Sequence, residues 1–444
     1  MLSGISNLVN SQKGLLDRSI FVDKDIYQQE LEQVFGRCWL FVGHESQLKN
    51  NNDFIANYMG EDPVLLTRDS RGKLHAFLNM CRHRGNRICR ADFGNAPSFM
   101  CTYHGWTFAT DGKLVGVPGY KEAYFEELDR SQWSLVEARI ETYKGLVFAT
   151  WDAAAPKLID YLGDYAWYMD VLLDRRAGGT EVVGGVHRWV MNMNWKFGAD
   201  NFAGDGYHVS ITHGSTRYMG DPTRAARSAP LPNSDPNRVH VTFSNGHGWN
   251  SGFAAKKNAP TLAEISPELN GQNAIMKQYF EDTYKEAEQR LGPVRAKMTA
   301  SVLPGQVFPT FTWFSAARIW HPRGPEKTEL WSYRIVDKDA PEAVKRYQCI
   351  QLIESFGPAG NLEEDDGNNF VQCTAASKSL IARKYPINQN MGNGHEWTSE
   401  LAPGLISPHI GEANQRALYA RWAEIMSAAS WDQIKIEPRT WVKG

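Results

Sequence analysis

Two short motifs in the first quarter of the chain bring cysteine and histidine together. Cys81 is followed two residues later by His83, and Cys101 is followed three residues later by His104. Thiolate and imidazole groups both bind transition metals: thiolates favour zinc, copper(I) and iron–sulfur clusters, and imidazoles suit zinc and iron. Each motif supplies one ligand of each kind, so the two motifs together could bind one metal ion or one cluster.

The spacing of these ligands distinguishes between the candidate metals. Structural zinc sites usually carry two cysteines close together in sequence, and neither motif does. A Rieske [2Fe–2S] centre instead needs two cysteines on one iron and two histidines on the other. The pattern Cys-x-His followed by Cys-x-x-His therefore indicates a Rieske cluster, with zinc as the alternative. The chain has only 12 histidines and 6 cysteines in 444 residues, which argues against a chance arrangement.

A second set of potential metal ligands lies further along the chain, in the segment NWKFGADNFAGDGYHVSITH. Asp205 and His208 are three residues apart in it, and we expect them to share one face of a helix. His208 and His213 are five residues apart, which on a regular α-helix separates them by about 140°. Both can reach one ion only where the helix ends or bulges between them, as helices often do at functional sites.

Two imidazoles and one carboxylate on one side of an iron leave positions open for dioxygen, and this is the ligand set of non-haem Fe(II) oxygenases. The residues alone leave two sources of the carboxylate open. Asp205 is nearest in sequence, and the acidic run EEDD at 363–366, which follows FGPAG, is the distal alternative. A His-x₄-His pair alone is weak evidence for a metal site, because it would also suit two structural histidines. It supports an iron site here because the same chain contains the two Cys/His motifs.

The elements around these ligands indicate an α+β protein. Short β-like runs and turns extend from about residue 38 to 157, and DSRGK and ATDGK are hairpin signals. The second half mixes helices with strands, and TFTWFSAARIWHP and TELWSYRIVDKD are expected to pair as neighbours. We predict an all-β domain at 38–157, and a larger domain, made of 1–37 and 158–444, that combines an antiparallel sheet with flanking helices.

One helix is predicted near the start of the larger domain. Residues 23–37 place apolar side chains near helical spacing, and Asp23 or Asp25 can cap the first turn.

Composition excludes several classes of protein. The 48 basic and 50 acidic side chains give a net charge of −2, so no basic surface is expected for nucleic acid or an anionic membrane. No apolar run reaches the roughly 18 residues that span a bilayer, and the N-terminus lacks the pattern of a secretory signal. Six cysteines without regular spacing do not indicate a disulfide scaffold. We therefore expect a cytoplasmic protein.

The motifs resemble those of one enzyme family over almost the whole chain. The Cys/His pair, NWKFGADNFAGDGYHVSITH, and FGPAG with its acidic run are similar to the large (α) subunit of Rieske non-haem iron aromatic-ring-hydroxylating dioxygenases, of the naphthalene and biphenyl dioxygenase type. The resemblance implies that the third iron ligand is the distal aspartate. The triad would be His208, His213 and Asp366, and Asp365 and Glu364 are the residues most easily mistaken for Asp366.

The resemblance also separates two branches of Rieske proteins. Respiratory-chain members carry an extra cysteine in each cluster loop, and the two form a disulfide. The matching positions here are Asn86 and Tyr103, which cannot form it. Without this disulfide, and with fewer hydrogen bonds to the sulfurs, the cluster is expected to have a lower reduction potential. A lower potential suits a cluster that passes electrons to another iron.

Asp205 takes a different role in this resemblance. In the family, the matching aspartate bridges an iron-ligand histidine and the Rieske histidine of a neighbouring subunit. Asp205 would then bond to His208 and, across the interface, to His104 of the next chain. Such a charged acceptor fixes the tautomer and orientation of an imidazole. Asn201 is a polar neighbour expected to assist at the iron.

An aromatic hydrocarbon carries no charge, so a mostly apolar pocket must orient it. The candidates for the pocket wall are apolar side chains near the triad in sequence: Phe202, Val209, Phe356 and Leu362. Each of them also suits ordinary core packing. The family often has tryptophan where this chain has Leu362, and the smaller side chain favours a substrate with more than one ring.

The implied reaction adds both atoms of O₂ to a polycyclic aromatic hydrocarbon and gives a cis-dihydrodiol. The resemblance implies that electrons come from NADH through a separate reductase and ferredoxin. The chain shows no strand–GxGxxG–helix fingerprint, so it is not expected to bind the nicotinamide itself. The assembly would be an α₃β₃ hexamer with a small β subunit, although some relatives contain α subunits only.

Two other functions stay open at this point. A related Rieske monooxygenase would act on an aromatic acid such as a salicylate and would need a basic residue in its pocket, for which Lys196 and Arg217 are the candidates. An electron-transfer or zinc-stabilised binding protein would need no convergence of His208, His213 and Asp366. Metal content separates these functions, because the oxygenase should hold about three irons per chain.

Overall fold

The structure is a computed structural model that describes residues 4–214, 238–251, 274–298, 305–314 and 316–441. The chain divides into a smaller unit, Phe35–Leu158, and a larger unit made of Met1–Val34 and Ile159–Gly444. None of the described helices combines the length and the apolar character needed to cross a membrane.

The smaller unit consists of antiparallel strands joined by tight turns. Its main sheet has seven strands, in the spatial order Leu40–His44, Leu146–Thr150, Glu137–Tyr143, Leu74–Leu78, Asp62–Arg68, Asp53–Met59 and Phe93–Asn95. A second sheet contains Leu114–Gly116, Thr107–Ala109 and Ser98–Met100. Both hairpin predictions are confirmed, because DSRGK and ATDGK each join two paired strands.

The core of the smaller unit includes the two predicted cluster cysteines. Cys81 and Cys101 are each 2% exposed and pack with Phe54, Phe99 and Trp106. The Phe54 and Phe99 rings meet edge to face, with centroids 5.2 Å apart. The apolar surroundings exclude water from the two thiols.

The larger unit is built on one antiparallel sheet of eight strands. Their spatial order is Thr180–Met191, Thr328–Asp337, Ala316–Pro322, Phe311–Phe314, Gly305–Val307, Gly248–Ser251, Val239–Thr242 and Leu405–Pro408. A small sheet contains Val9–Asn10, Leu15–Leu16 and Ile387–Asn388. Ala316–Pro322 pairs with Thr328–Asp337, as the sequence predicted.

The described helices complete the α+β architecture and confirm that prediction. The α-helices are Lys24–Glu30, Leu158–Leu162, Tyr165–Leu173, Trp195–Phe202, Val209–Thr212, Ala274–Ala296, Glu342–Phe356, Glu363–Lys378 and Ala413–Ser427. Short 3₁₀ helices occur at Ile5–Leu8, Arg18–Phe21, Glu45–Gln47, Arg130–Trp133, Ala382–Lys384 and Trp431–Gln433.

The helix predicted near the N-terminus is confirmed, and its cap is Asp23. The Asp23 carboxylate accepts the backbone N–H groups of Asp25 and Ile26. The α-helix Lys24–Glu30 then continues as one π-helical turn, Leu31–Phe35.

The helix Trp195–Phe202 packs closely against the eight-stranded sheet at Gly198, which lies against Trp320 of the strand Ala316–Pro322. A Cβ atom at Gly198 would lie 2.3 Å from the Trp320 ring, so only glycine permits this packing. Asn194 caps the helix through a 3.0 Å bond from the Lys196 N–H. The N–H of Asn194 in turn donates to Thr374 Oγ1 at 3.0 Å, which ties this helix to Glu363–Lys378. The helix Glu363–Lys378 carries Asp366, one of the three predicted iron ligands.

Candidate metal centres

The two Cys/His motifs lie in loops with the same backbone pattern. In each loop the N–H of the cysteine donates a hydrogen bond to the carbonyl of the residue five positions later. The Cys81 N–H bonds to the Asn86 carbonyl and the Cys101 N–H to the Trp106 carbonyl, both at 2.8 Å. The glycine at the fourth position, which has a positive φ of 77° or 73°, returns a 2.9 Å bond to the cysteine carbonyl. Two equivalent turns therefore each present one thiol and one imidazole.

The four predicted cluster ligands converge. The rings of His83 and His104 have centroids 4.6 Å apart, and the two cysteines pack in the same buried core. His83 Nδ1 is buried and has no hydrogen-bond partner among the described residues. A buried imidazole nitrogen without a partner is costly unless it binds something, and a metal would satisfy it. The donor set thus suits a cluster with two thiolate and two imidazole ligands.

The environment of the Cys101 sulfur favours negative charge. Burial raises the pKa of the Cys101 thiol, but hydrogen bonds from the Tyr103 backbone and the Asn86 side chain outweigh it and lower the pKa overall. Asn86 Nδ2 lies 3.6 Å from Cys101 Sγ. Thiolates bind metals in the deprotonated form, so these donors favour the ligand state.

The structure also brings His208, His213 and Asp366 together. The Nε2 atoms of both histidines lie 3.3 Å from the same Oδ1 of Asp366. One ligand atom from each of the three residues lies within 4.8 Å of the others. Asp366 is 2% exposed and occupies the first turn of the helix Glu363–Lys378. Two imidazoles and one carboxylate in this arrangement suit a mononuclear Fe(II) with open positions.

The helix between the two histidines is a single turn. His208 immediately precedes Val209–Thr212 and His213 immediately follows it, so both side chains stand at helix ends rather than on one regular face. The helix break that shared ligation requires is therefore present. The expectation that Asp205 and His208 share a helix face is wrong, because Asp205 precedes the helix. Its Oδ1 accepts the N–H groups of Tyr207 and His208 at 2.9 and 3.2 Å.

The second nitrogen of each imidazole faces another carboxylate. His208 Nδ1 lies 3.3 Å from Asp205, and His213 Nδ1 lies 3.5 Å from Asp365. Carboxylates in this position orient a metal-ligating histidine and raise its basicity. Glu364, the other residue easily mistaken for the ligand, is exposed.

The negative charge around His208 is strong enough to reverse the effect of burial. Burial lowers the pKa of His208, but the carboxylates of Asp205 and Asp366 raise it to about 10. The same field favours a divalent cation between the imidazoles. The donor set and its charge therefore both suit a metal ion.

The structure brings together two of the four predicted pocket residues. The rings of Phe202 and Phe356 have centroids 6.1 Å apart, and both rings contact Phe314, at 6.1 and 4.8 Å. Val209, in contrast, is 47% exposed in the described part of the chain. Leu362 is partly buried and immediately precedes the helix that carries Asp366. Asn201 lies in the last turn before Asp205, and its carbonyl accepts the Asp205 N–H at 2.9 Å.

A buried ion pair behind this aromatic group was not predicted. Arg318 donates to Glu363 at 2.8 Å and to the Phe356 carbonyl at 2.9 Å. Its guanidinium lies 4.6 Å from the Phe202 ring centroid and 5.0 Å from that of Phe356. Arg318 therefore links the aromatic group to the helix of the iron site. The acidic run 363–366 was the only signal for this pair in the sequence.

One of the two basic residues considered for an acidic substrate lies in the described part of the chain. Lys196 is fully buried and forms an ion pair with Glu30. Arg217 lies outside the described residues.

Comparisons with known proteins cover nearly the whole chain. Residues 38–143 match the Rieske [2Fe–2S] domain, and residues 158–428 match the catalytic domain of the ring-hydroxylating α subunit. The chain is 41% identical over 434 residues to the α subunit of biphenyl 2,3-dioxygenase from Rhodococcus jostii, covering 96% of this chain and 92% of that subunit. It is 39% identical over 440 residues to the α subunit of benzene 1,2-dioxygenase from Pseudomonas putida, covering 98% and 96%.

Solved structures give the same result. Naphthalene 1,2-dioxygenase with indole bound in the active site superposes with a TM-score of 0.87 at 33% identity, covering 96% of this chain and 95% of that chain. Naphthalene 1,2-dioxygenase from Rhodococcus sp. bound to indole gives 0.83 at 34% identity, covering 97% and 99%. A quaternary ammonium Rieske monooxygenase, at 17% identity and a TM-score of 0.65, shares the fold alone.

Proposed function

The chain belongs to the family of ring-hydroxylating oxygenase α subunits, and from that premise we propose that it adds both atoms of O₂ to an aromatic hydrocarbon to form a cis-dihydrodiol. It is a Rieske-type aromatic-ring-hydroxylating dioxygenase whose cofactors are a [2Fe–2S] Rieske cluster and a mononuclear iron. Membership of this family argues against the two alternatives without catalysis, a zinc-stabilised binding protein and a protein that only transfers electrons.

The proposal rests above all on the convergence of His208, His213 and Asp366. The carboxylate that meets the two imidazoles comes from a distant helix rather than from neighbouring Asp205. Two imidazoles and one carboxylate would hold an iron and leave some of its coordination positions for other ligands. We assign these three residues as the iron ligands. An iron held by these residues would supply O₂ activation beside the substrate, and a Rieske cluster would supply single electrons.

We assign Cys81, His83, Cys101 and His104 as the cluster ligands. The equivalent loop backbones support this assignment, and so does the buried Nδ1 of His83, which has no partner within the part of the chain that the structure describes. The cluster domain is then 38–157, and the catalytic domain comprises 1–37 and 158–444.

Asp205 is proposed to connect the two kinds of centre between subunits. One of its oxygens is anchored by backbone N–H groups, and the other faces His208 Nδ1 at 3.3 Å. The side chain is 31% exposed, so it can accept a further bond from His104 of the partner subunit. In this role Asp205 fixes the His208 ring and provides a short polar link between subunits. Asn201, whose carbonyl holds the Asp205 N–H, is proposed to assist at the iron.

An uncharged polycyclic aromatic substrate suits the surroundings of the iron site better than an aromatic acid. Phe202 and Phe356 offer ring faces and edges, and we propose that they form part of the pocket wall together with Val209 and Leu362. An acid would need a cation in the pocket, and two basic residues in the described part of the chain are already paired: Lys196 with Glu30 and Arg318 with Glu363. The salicylate-type monooxygenase is therefore the less favoured function.

The partners follow from the same premise. We propose that electrons originate in NADH and reach this subunit through a reductase and a ferredoxin, and that a small β subunit completes an α₃β₃ hexamer. Two of the relatives that support this are named as α subunits of dioxygenases, and another is named as the large oxygenase component of a naphthalene 1,2-dioxygenase system.

Turnover under ¹⁸O₂ tests the function. Purified oxygenase, supplied with ferredoxin, reductase and NADH, should convert a bicyclic aromatic such as naphthalene or biphenyl to a dihydrodiol that carries two labelled oxygen atoms. Salicylate serves as the comparison substrate. A product with one labelled atom, or turnover of salicylate alone, would favour the monooxygenase instead.

A further inference from the structure

The two cluster loops contact each other through the residues at equivalent positions. Asn86 and Trp106 each accept the N–H of the cysteine five residues earlier. From that position, Trp106 stacks on His83 of the other loop, with centroids 5.0 Å apart and planes 12° from parallel. Asn86 reaches in the opposite direction, to Cys101. Each loop therefore contacts a cluster ligand of the other loop.

The Asn86 amide is positioned as a hydrogen-bond donor to sulfur. Its Nδ2 lies 3.6 Å from Cys101 Sγ and 3.2 Å from Thr102 Oγ1, so its two hydrogens have two acceptors. The main chain of Asn86 is fixed by the bond from Cys81, which leaves the side chain free to cross to the second loop. The other donors to the Cys101 sulfur are two backbone N–H groups of its own loop and the Cys81 thiol. Among the described residues, the Cys81 sulfur has backbone donors but no side-chain amide that corresponds to Asn86.

A donor in this place stabilises the reduced cluster. Reduction adds one electron and no proton to the cluster, and part of the added charge resides on its sulfurs. An N–H dipole that points at a sulfur stabilises that charge more in the reduced than in the oxidised state. The hydrogen bond therefore raises the reduction potential.

We propose that Asn86 is a positioning residue that holds the two cluster loops together and raises the reduction potential of the cluster through its bond to Cys101. The inference rests on the proposed assignment of Cys101 as a cluster ligand.

Two substitutions and one control test the role. Asn86→Leu keeps the size of the side chain and removes the donor. It should lower the midpoint potential by about 59 mV, which corresponds to a tenfold change in the one-electron equilibrium. Asn86→Asp should lower it further, because a carboxylate adds negative charge beside the sulfur. Asn51→Leu is the control, since the Asn51 amide donates instead to the Ser70 carbonyl in the same unit.

The measurement is a redox titration of the purified oxygenase, followed by the visible spectrum of the cluster, with iron content as a check of assembly. Retention of the cluster with the two predicted shifts, and none in Asn51→Leu, supports the proposal. An unchanged potential in both Asn86 variants overturns it, and so does loss of the cluster from both, because Asn86 would then serve assembly alone. The spectrum and dihydrodiol formation of the unmodified protein test the proposed function separately.

Discussion

Replacing Glu30 by glutamine breaks the ion pair at the start of the helix Trp195–Phe202. The Glu30 carboxylate accepts bonds from Trp195 Nε1 at 3.1 Å and Trp422 Nε1 at 2.7 Å, and it pairs with the Lys196 ammonium. The two charged side chains are only 1% and 0% exposed. Removal of one partner leaves a buried charge without compensation, so Glu30→Gln should lower the free energy of unfolding by about 3–5 kcal/mol.

The size of this loss should depend on pH in one direction. Burial lowers the pKa of Lys196, and Glu30 opposes that shift. Without Glu30, folded Lys196 binds its proton still more weakly, whereas the unfolded side chain titrates near its ordinary value of about 10.4. The unfolded state then binds more protons between these two pKa values, so the stability of the variant rises as pH increases through that interval. The deficit relative to the unmodified protein should therefore shrink at alkaline pH.

Urea unfolding followed by tryptophan fluorescence measures the effect at neutral and alkaline pH. The matched control is Glu326→Gln, whose partner Lys378 is 54% exposed, and it should change the stability by less than about 1 kcal/mol. The double variant Glu30→Gln/Lys196→Met should recover much of the loss, because no unpaired charge remains. Equal losses in Glu30→Gln and Glu326→Gln at neutral pH would refute the argument from burial.

Three further variants test the iron site and its surroundings. Asp366→Ala should reduce the iron content from about three to about two per chain while the cluster spectrum persists, and retention of all the iron would contradict its assignment as a ligand. Asp205→Ala should keep both metals but lose turnover, so normal turnover with full iron would exclude the bridge. Burial, aided by Asp205, raises the pKa of Asp200 to about 8. The folded state then keeps a proton that the unfolded chain loses near pH 4, so this group destabilises the fold progressively as pH rises toward 8. Asp200→Asn should remove that slope, and a melting temperature that falls equally with pH in both proteins would show that Asp200 is not its source.

The sequence predicted those elements whose determining residues lie close together in the chain, such as a helix cap and a hairpin turn. Asp23 caps its helix because a carboxylate can reach the free N–H groups of the first turn, and that signal lies within four residues. DSRGK joins two strands because the turn residues themselves set the register. The strands that pair through Ala316–Pro322 are also close neighbours in the chain.

Contacts between distant residues had no comparable signal. Lys196 and Glu30 are 166 residues apart, and Arg318 and Glu363 are 45 apart. Neither pair follows a spacing that a helix or strand would impose, so the buried partner of a charge emerges only from the fold. The third iron ligand was equally hard to predict, because the residue pattern alone allowed either Asp205 or the distal acidic run. Only the family resemblance favoured Asp366.

The carboxylates behind the two iron-site imidazoles are similar in distance and exposure, but they differ in how they are held. Asp205 and Asp365 lie 3.3 and 3.5 Å from the imidazoles they face, and each is 31% exposed. Asp365 belongs to the same helical turn as Asp366, so its position is tied to that of this proposed iron ligand. Asp205 lies in a loop, where two backbone N–H groups hold one oxygen and leave the other to the imidazole. A carboxylate anchored independently of the ligand helix keeps its orientation when a second donor binds from outside, which is why Asp205 rather than Asp365 suits a bridge between subunits.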